Sequence, residues 1–219
     1  MYTDMKKTAI VIGGTGLVGS QVVQLLLDDE RYGSVINFHR RSMGIDHPKL
    51  TEHIIDFKEI ESWKERVMGD ELYSAMGTTI KKAGSKEAQY KVDVTYPLEV
   101  AKAASENGVK KYSLVSSAGA DKDSALFYPR IKGELDDAVK KLSFHRITIM
   151  RPSILDGDRQ ESRPGERFGL AVMRLVGIVP GLKKYRPIPA EQVAKAMINS
   201  LQDDRGGYYI YEPNEVFHL

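Results

Sequence analysis

Ala9-Ile10-Val11-Ile12-Gly13-Gly14-Thr15-Gly16-Leu17-Val18-Gly19 joins an apolar strand, a glycine turn and the opening of a helix that reads on to Leu27. Strand, turn and helix in that order form the first half of a nucleotide-binding unit. Gly13 permits the tight turn, Gly16 lets the backbone approach a pyrophosphate, and Gly19 lets the helix pack close to its strand. The phosphates of a dinucleotide then meet the free N–H groups and positive dipole end of the helix.

Working outward, short apolar runs alternate with longer helical stretches, the sign of a parallel sheet covered on both faces. Strands are expected at Ser34–Phe38, Leu50–Ile55, Glu71–Met76, Lys111–Ser116 and Arg146–Met150. Helices are expected at Ser85–Glu106, with a kink at Pro97 and a stop at Asn107-Gly108, at Tyr128–Leu142 and at Ala190–Leu201. A short apolar helix is expected at Phe168–Ile178. The fold class is therefore α/β, a Rossmann-like doubly wound parallel sheet with helices on both faces. One NAD(P)-binding domain over residues 1–219 is expected, with a small substrate-side elaboration from about 153–219.

Bulk properties exclude several functions. A formal charge of +2 gives no electrostatic case for nucleic acid or a membrane surface. The absence of cysteine rules out disulfides, a thiolate nucleophile and cysteine-ligated zinc. The five histidines form no His-x-x-x-His pair, so no metal site is expected. No apolar stretch approaches the roughly 18–20 residues of a membrane span. The polar segment Met1–Lys7 does not read as a signal peptide, and the location expected on these grounds is cytoplasmic.

Tyr128 and Lys132 lie one helical turn apart, so the ammonium favours the phenolate and fits the tyrosine for proton transfer. Reduction of a carbonyl by hydride needs such a donor at the oxygen. Tyr2 and Lys6 share the spacing but precede the first strand, where no active site of this fold lies. Tyr128 instead opens the helix after strand five, whose carboxyl end carries Ser116 and Ser117. Ligands bind at that edge of an open α/β sheet. Either serine could hold the substrate oxygen, Ser117 being nearer the strand tip, or both could be turn residues leading to Gly119.

Arg40 and Arg41 stand at the tip of strand two, where a carboxylate would take the ribose 2′-hydroxyl and arginine a 2′-phosphate. Two guanidiniums there favour NADPH over NADH. Asp56, after strand three, reads either as a partner for the adenine amino group or as the cap of a following helix. Gly77-Thr78-Thr79 would pass over the middle of the cofactor, with Lys81 and Lys82 behind it more simply read as solvated. The charged segment Asp158–Arg167 reads as a lid or as a solvated loop.

The combination of Gly13-x-x-Gly16-x-x-Gly19, Ser116-Ser117, Tyr128-x-x-x-Lys132 and Arg151-Pro152 resembles the short-chain dehydrogenase/reductase superfamily. More narrowly it resembles the atypical branch that includes the Tat-interacting oxidoreductase family. Three stretches carry that likeness: Met76-Gly77-Thr78-Thr79 with Lys82-Ala83-Gly84, Ser116 to Lys122, and Asp158 to Glu166. The glycine loop departs from the animal relatives only in its fillers, Leu17 and Val18.

The resemblance implies NADPH as cofactor, with Thr15, Gly16, Leu17 and Val18 at the pyrophosphate and Arg40 and Arg41 at the 2′-phosphate. It places Met76 and Gly77 along the cofactor, gives Tyr128 and Lys132 both cofactor and chemistry, and closes the nicotinamide side with Leu155 and Arg163. The expected function is an NADPH-dependent reductase acting on a small-molecule carbonyl, with Tyr128, Lys132 and Ser117 catalytic. Two alternatives stand beside it: a regulatory protein that senses NADPH without turnover, and a sugar-nucleotide epimerase. The chain looks short for the epimerase. A homodimer through the helices over 85–106 and 128–142 is one reading of their surfaces; their lysines and glutamates also suit solvent.

Overall fold

β1 (Lys7–Ile12) buries alternate side chains on opposite faces, Ile10 and Ile12 in one core and Ala9 and Val11 in the other. That is the pattern of a strand covered on both sides. The computed structural model describes residues 6–156 and 187–219. Around β1 stand β2 (Tyr32–His39), β3 (Leu50–Ile54), β4 (Glu71–Ser74), β5 (Lys111–Val115), β6 (Arg146–Met150) and, after two short strands given below, β9 (Gly207–Tyr211). They form one parallel sheet in the order β3-β2-β1-β4-β5-β6-β9. The order reverses between β1 and β4, the switch point where such sheets open a crevice for a ligand.

One face is covered by α1 (Leu17–Asp28) and α6 (Ala190–Ser200), which bury Val22, Leu26, Val193 and Met197. The other is covered by α4 (Tyr96–Glu106) and α5 (Phe127–Val139). Ile131, Leu135 and Val139 recur every fourth residue along α5 and supply its apolar stripe. Two short helices, α2 (Ile80–Ala83) and α3 (Lys86–Tyr90), follow β4, and α7 (Pro213–Val216) closes the chain. Among the described residues no helix is long and apolar enough to cross a membrane.

The six expected strands all form, each within two residues of its expected ends. β9 was not expected, because Gly207-Tyr208-Tyr209-Ile210-Tyr211 is aromatic rather than aliphatic and pairs only with β6. The helix expected to kink at Pro97 is interrupted earlier instead, by a π-helical turn at Lys91–Thr95. Pro97 lies in the first turn of α4, where its missing N–H costs nothing. The expected end at Asn107-Gly108 holds, with Gly108 at φ +85. No α-helix follows Asp56, only two 3₁₀ turns at Ile60–Ser62 and Lys64–Arg66. β7 (Leu155–Asp156) and β8 (Ile188–Pro189) pair with each other in a separate two-stranded ladder. The expected helix at 168–178, the charged segment at 158–167 and Arg163 lie outside the described residues.

Candidate active site

The glycine loop is built by close backbone approach. Gly13 has φ +81, and a Cβ there would meet the Ala75 backbone at 2.6 Å. A Cβ on Gly19 would meet the Gly13 carbonyl oxygen at 2.1 Å, so the first turn of α1 rests directly on the loop. Gly16 donates its N–H to Gly13 O at 2.8 Å and caps α1 without any side chain. No acidic residue occupies the first turn. The amides of Leu17, Val18 and Gly19, which a helix cannot satisfy itself, are therefore left to an anion. The Val18 side chain is buried in the core and Thr15 is exposed, so Val18 can serve only through its backbone.

Arg40 and Arg41 are exposed at the tip of β2, and neither makes an ion pair among the described residues. Asp56 is exposed in a turn. Its Oδ1 accepts from Lys58 N at 3.0 Å and its carbonyl accepts the Trp63 indole N–H at 3.0 Å.

The catalytic candidates come together at the carboxyl end of the sheet. Tyr128, in the first turn of α5, is 42% exposed, while Lys132 one turn later is 3% exposed, with Nζ 5.9 Å from the centre of the Tyr128 ring. Behind it lies Asp93, a residue not singled out from the sequence. Lys132 Nζ and Asp93 Oδ1 are 3.1 Å apart and both side chains are buried. Asp93 Oδ2 accepts the Thr78 N–H at 2.9 Å. A Cβ on Gly77 would sit 3.4 Å from Asp93 Oδ1 and 3.8 Å from Lys132 Nζ. Gly77, Lys132 and Tyr128, predicted separately, are thus neighbours. Burial disfavours the Lys132 charge, yet Tyr128, Asp93 and Asp136 outweigh it and raise the ammonium pKa above its ordinary value.

Ser116 and Ser117 part company. Ser116 is buried with its hydroxyl toward Asp136, whereas Ser117 is half-buried, its Oγ 3.4 Å from Ala118 O. Successive residues of an extended chain point to opposite sides. Asp136, one turn beyond Lys132, takes Arg151 Nη2 at 2.9 Å and Nε at 3.1 Å, and Arg151 reaches Glu212 at 3.2 Å. Charges of alternating sign therefore run outward from buried Asp93 through Lys132, Asp136 and Arg151 to the exposed Glu212. Burial raises the Asp136 pKa, against the pull of Ser116, Arg151 and Lys132. Met76 and Leu155 are partly buried against the two cores, at the ends of β4 and in β7.

Residues 13–204 match the model of the NAD(P)H-binding family. The protein fmp52 of Aspergillus niger is 38% identical over 87% of this chain and 85% of its own. HTATIP2 of Rattus norvegicus is 30% identical over 100% of this chain and 91% of its own. Among solved structures, the UDP-N-acetylglucosamine 4-epimerase of Methanobrevibacter ruminantium superposes with a TM-score of 0.71 at 20% identity, covering 97% of this chain and 80% of its own. At that identity the likeness speaks for the fold alone. The fmp52 proteins of Aspergillus niger, Aspergillus fumigatus and Aspergillus clavatus are named as mitochondrial, which overturns the cytoplasmic expectation drawn from the polar N-terminal segment. By its glycine loop, its sheet order and these relatives, the chain belongs to the NAD(P)H-binding family, in the atypical short-chain dehydrogenase/reductase branch shared with HTATIP2 and fmp52.

Proposed function

We propose that the protein is an NADPH-dependent reductase of small carbonyl compounds. The observation that carries this reading is Lys132, a buried ammonium held by Asp93 beneath the exposed Tyr128 ring and beside Gly77. A lysine is rarely enclosed this way without a task. The amides of Leu17 to Gly19 would hold the pyrophosphate and Arg40 with Arg41 the 2′-phosphate. Asp56 would face the adenine, Met76 and Gly77 would flank the central region, and Leu155 with Arg163 would border the nicotinamide. The loop fits that group, since a Cβ at Gly13, Gly14 or Gly19 would fall within 2.6 Å of other atoms and close the turn.

When bound, NADPH supplies the hydride for the carbonyl carbon. Tyr128 holds the proton at its phenol oxygen and gives it to the carbonyl oxygen. Lys132 favours the phenolate that is left, and Ser117 donates a hydrogen bond that orients the same oxygen. Asp93 keeps the ammonium in place and anchors the Thr78 amide. Replacing Tyr128 by Phe removes the proton donor and leaves the glycine loop untouched. Turnover on a carbonyl panel should fall at least 100-fold, the usual contribution of a positioned acid, with NADPH affinity by calorimetry within a few-fold. Full activity in that variant would refute the assignment. Tight NADPH binding with no turnover by the unaltered protein would favour a cofactor sensor instead.

A further inference from the structure

We propose that Glu52 is a specificity-determining positioning residue: from β3 its carboxylate fastens the turn carrying Arg40 and Arg41 where those guanidiniums receive a 2′-phosphate. The inference rests on the NADPH reading above and concerns what makes that preference possible.

Glu52 stands opposite Asn37 in the β2–β3 register, at the base of the turn that follows β2. Its Oε2 accepts the Ser42 hydroxyl at 2.6 Å and its Oε1 accepts the Met43 N–H at 2.7 Å. Ser42 Oγ in turn accepts the Gly44 N–H at 3.0 Å, and Gly44 adopts φ +69. The turn is thereby wrapped on one carboxylate. Beneath it lie buried Asn37 and His39. Asn37 Nδ2 touches Met43 Sδ at 2.9 Å and His39 Nδ1 at 3.3 Å, and His39 Nε2 faces Glu52 Oε1 at 3.2 Å. Burial holds the His39 pKa below its ordinary value, against Glu52 and with His53. Asn37 Nδ2 lies on the Nδ1 side of the His39 ring, and Nε2 on the side of Glu52.

The same Asn37 amide lies 2.6 Å from where a Cβ on Gly14 would be. Buried Asn37 therefore abuts both the glycine loop and the arginine turn, whereas the half-buried Glu52 holds the turn alone. Glu52 is spent on the turn, and no acid pairs with Arg40 or Arg41 among the described residues. The guanidiniums stay available while their backbone is held.

Charge and position predict opposite signs. As a bare anion near a phosphate, Glu52 would weaken NADPH binding by repulsion, and its removal would tighten it. As a fastener, its removal loosens the turn and weakens NADPH alone. The test is calorimetric titration of NADPH and NADH into the full chain, the Glu52→Gln and Glu52→Asp variants, and the double variant Arg40→Ala with Arg41→Ala. Glu52→Gln retains one acceptor and turns an N–H₂ on the other donor. It should weaken NADPH about tenfold, about 1.4 kcal/mol, with NADH within about twofold. Glu52→Asp should fall between.

An unchanged NADPH-to-NADH ratio, tighter NADPH binding, or equal loss of both cofactors in Glu52→Gln overturns the proposal. NADH is the internal control for folding, because it needs the same glycine loop. If the unaltered protein binds both cofactors equally, or the double arginine variant keeps NADPH affinity, the NADPH reading itself fails and Glu52 loses its role with it.

Discussion

Asp93 shows what a single side chain can hide. In the sequence it stands among Tyr90, Lys91 and Thr95, where a lone carboxylate reads as part of a solvated helix face. The π-helical turn at Lys91–Thr95 adds residues to one turn and rotates Asp93 inward, onto Lys132 and the Thr78 amide. Tyr128, Lys132 and Gly77 were readable because their spacing or place after a strand is itself the signal. Asp93 depends on a helix irregularity that no periodicity announces. Replacing Asp93 by Asn keeps an acceptor for Thr78 and leaves Lys132 a buried cation short of a partner. The expected cost is about 3 kcal/mol, a melting temperature lower by about 6–12 °C for a chain of this size. Asp93 is also among the groups that raise the Lys132 pKa against burial, so in the variant the ammonium loses its proton at a lower pH. The alkaline limb of the kcat/KM profile should move down accordingly. An unmoved melting point and an unmoved limb would show that Asp93 is not the counterion.

At the scale of elements, what could be read in advance is what local pattern controls. Apolar runs between glycine and proline signals marked β1 to β6, and the helix expected at Tyr128–Leu142 forms as α5 over Phe127–Val139. β9 escaped because its place is set by β6 rather than by its own composition. Gly133 escaped for a related reason: in mid-helix it looks like a mere weakness. A Cβ at Gly133 would lie 2.2 Å from Lys122 N and 2.3 Å from Asp121 C, so α5 carries a groove into which the loop after Ser117 is pressed. Asp121 N also donates to Pro129 O at 3.1 Å. That loop sets the distance between Ser117 and Tyr128. Gly133→Ala, although it touches neither, should destabilise the fold by about 1–3 kcal/mol and lower kcat more than NADPH affinity. Thermal melting with wild-type kinetics would mean that the loop has room to give.

Across the whole molecule, the two ends of the sheet are built from different material. The carboxyl end holds the open polar site. The amino end is sealed by a network in which buried Glu71 accepts Tyr32 OH and Tyr73 OH at 2.6 Å each and Lys7 Nζ at 2.8 Å, with Gln202 of the α6 end bonded to Tyr32 and Lys7. Burial, reinforced by Glu71, raises the Tyr32 and Tyr73 pKa values above the ordinary 10.0, and burial does the same for Tyr112. Neutral phenols are therefore favoured in the folded state. Their contribution to stability is complete below pH 10 and is lost as pH rises beyond it, because the unfolded chain gives up these protons first. In an alkaline titration the phenolate absorbance of these three tyrosines should appear only together with loss of the circular dichroism signal. Their ionisation ahead of unfolding would contradict the picture. The short ladder of β7 and β8 bears on how such a molecule changes over time. Leu155 and Asp156 are paired to Ile188 and Pro189, so two stretches far apart in the chain are clasped together. Doubling the length of what is spliced there costs only about 0.6 kcal/mol of closure entropy. Such a clasp lets a lineage change the length of chain between its two halves while every strand of the frame is inherited unaltered.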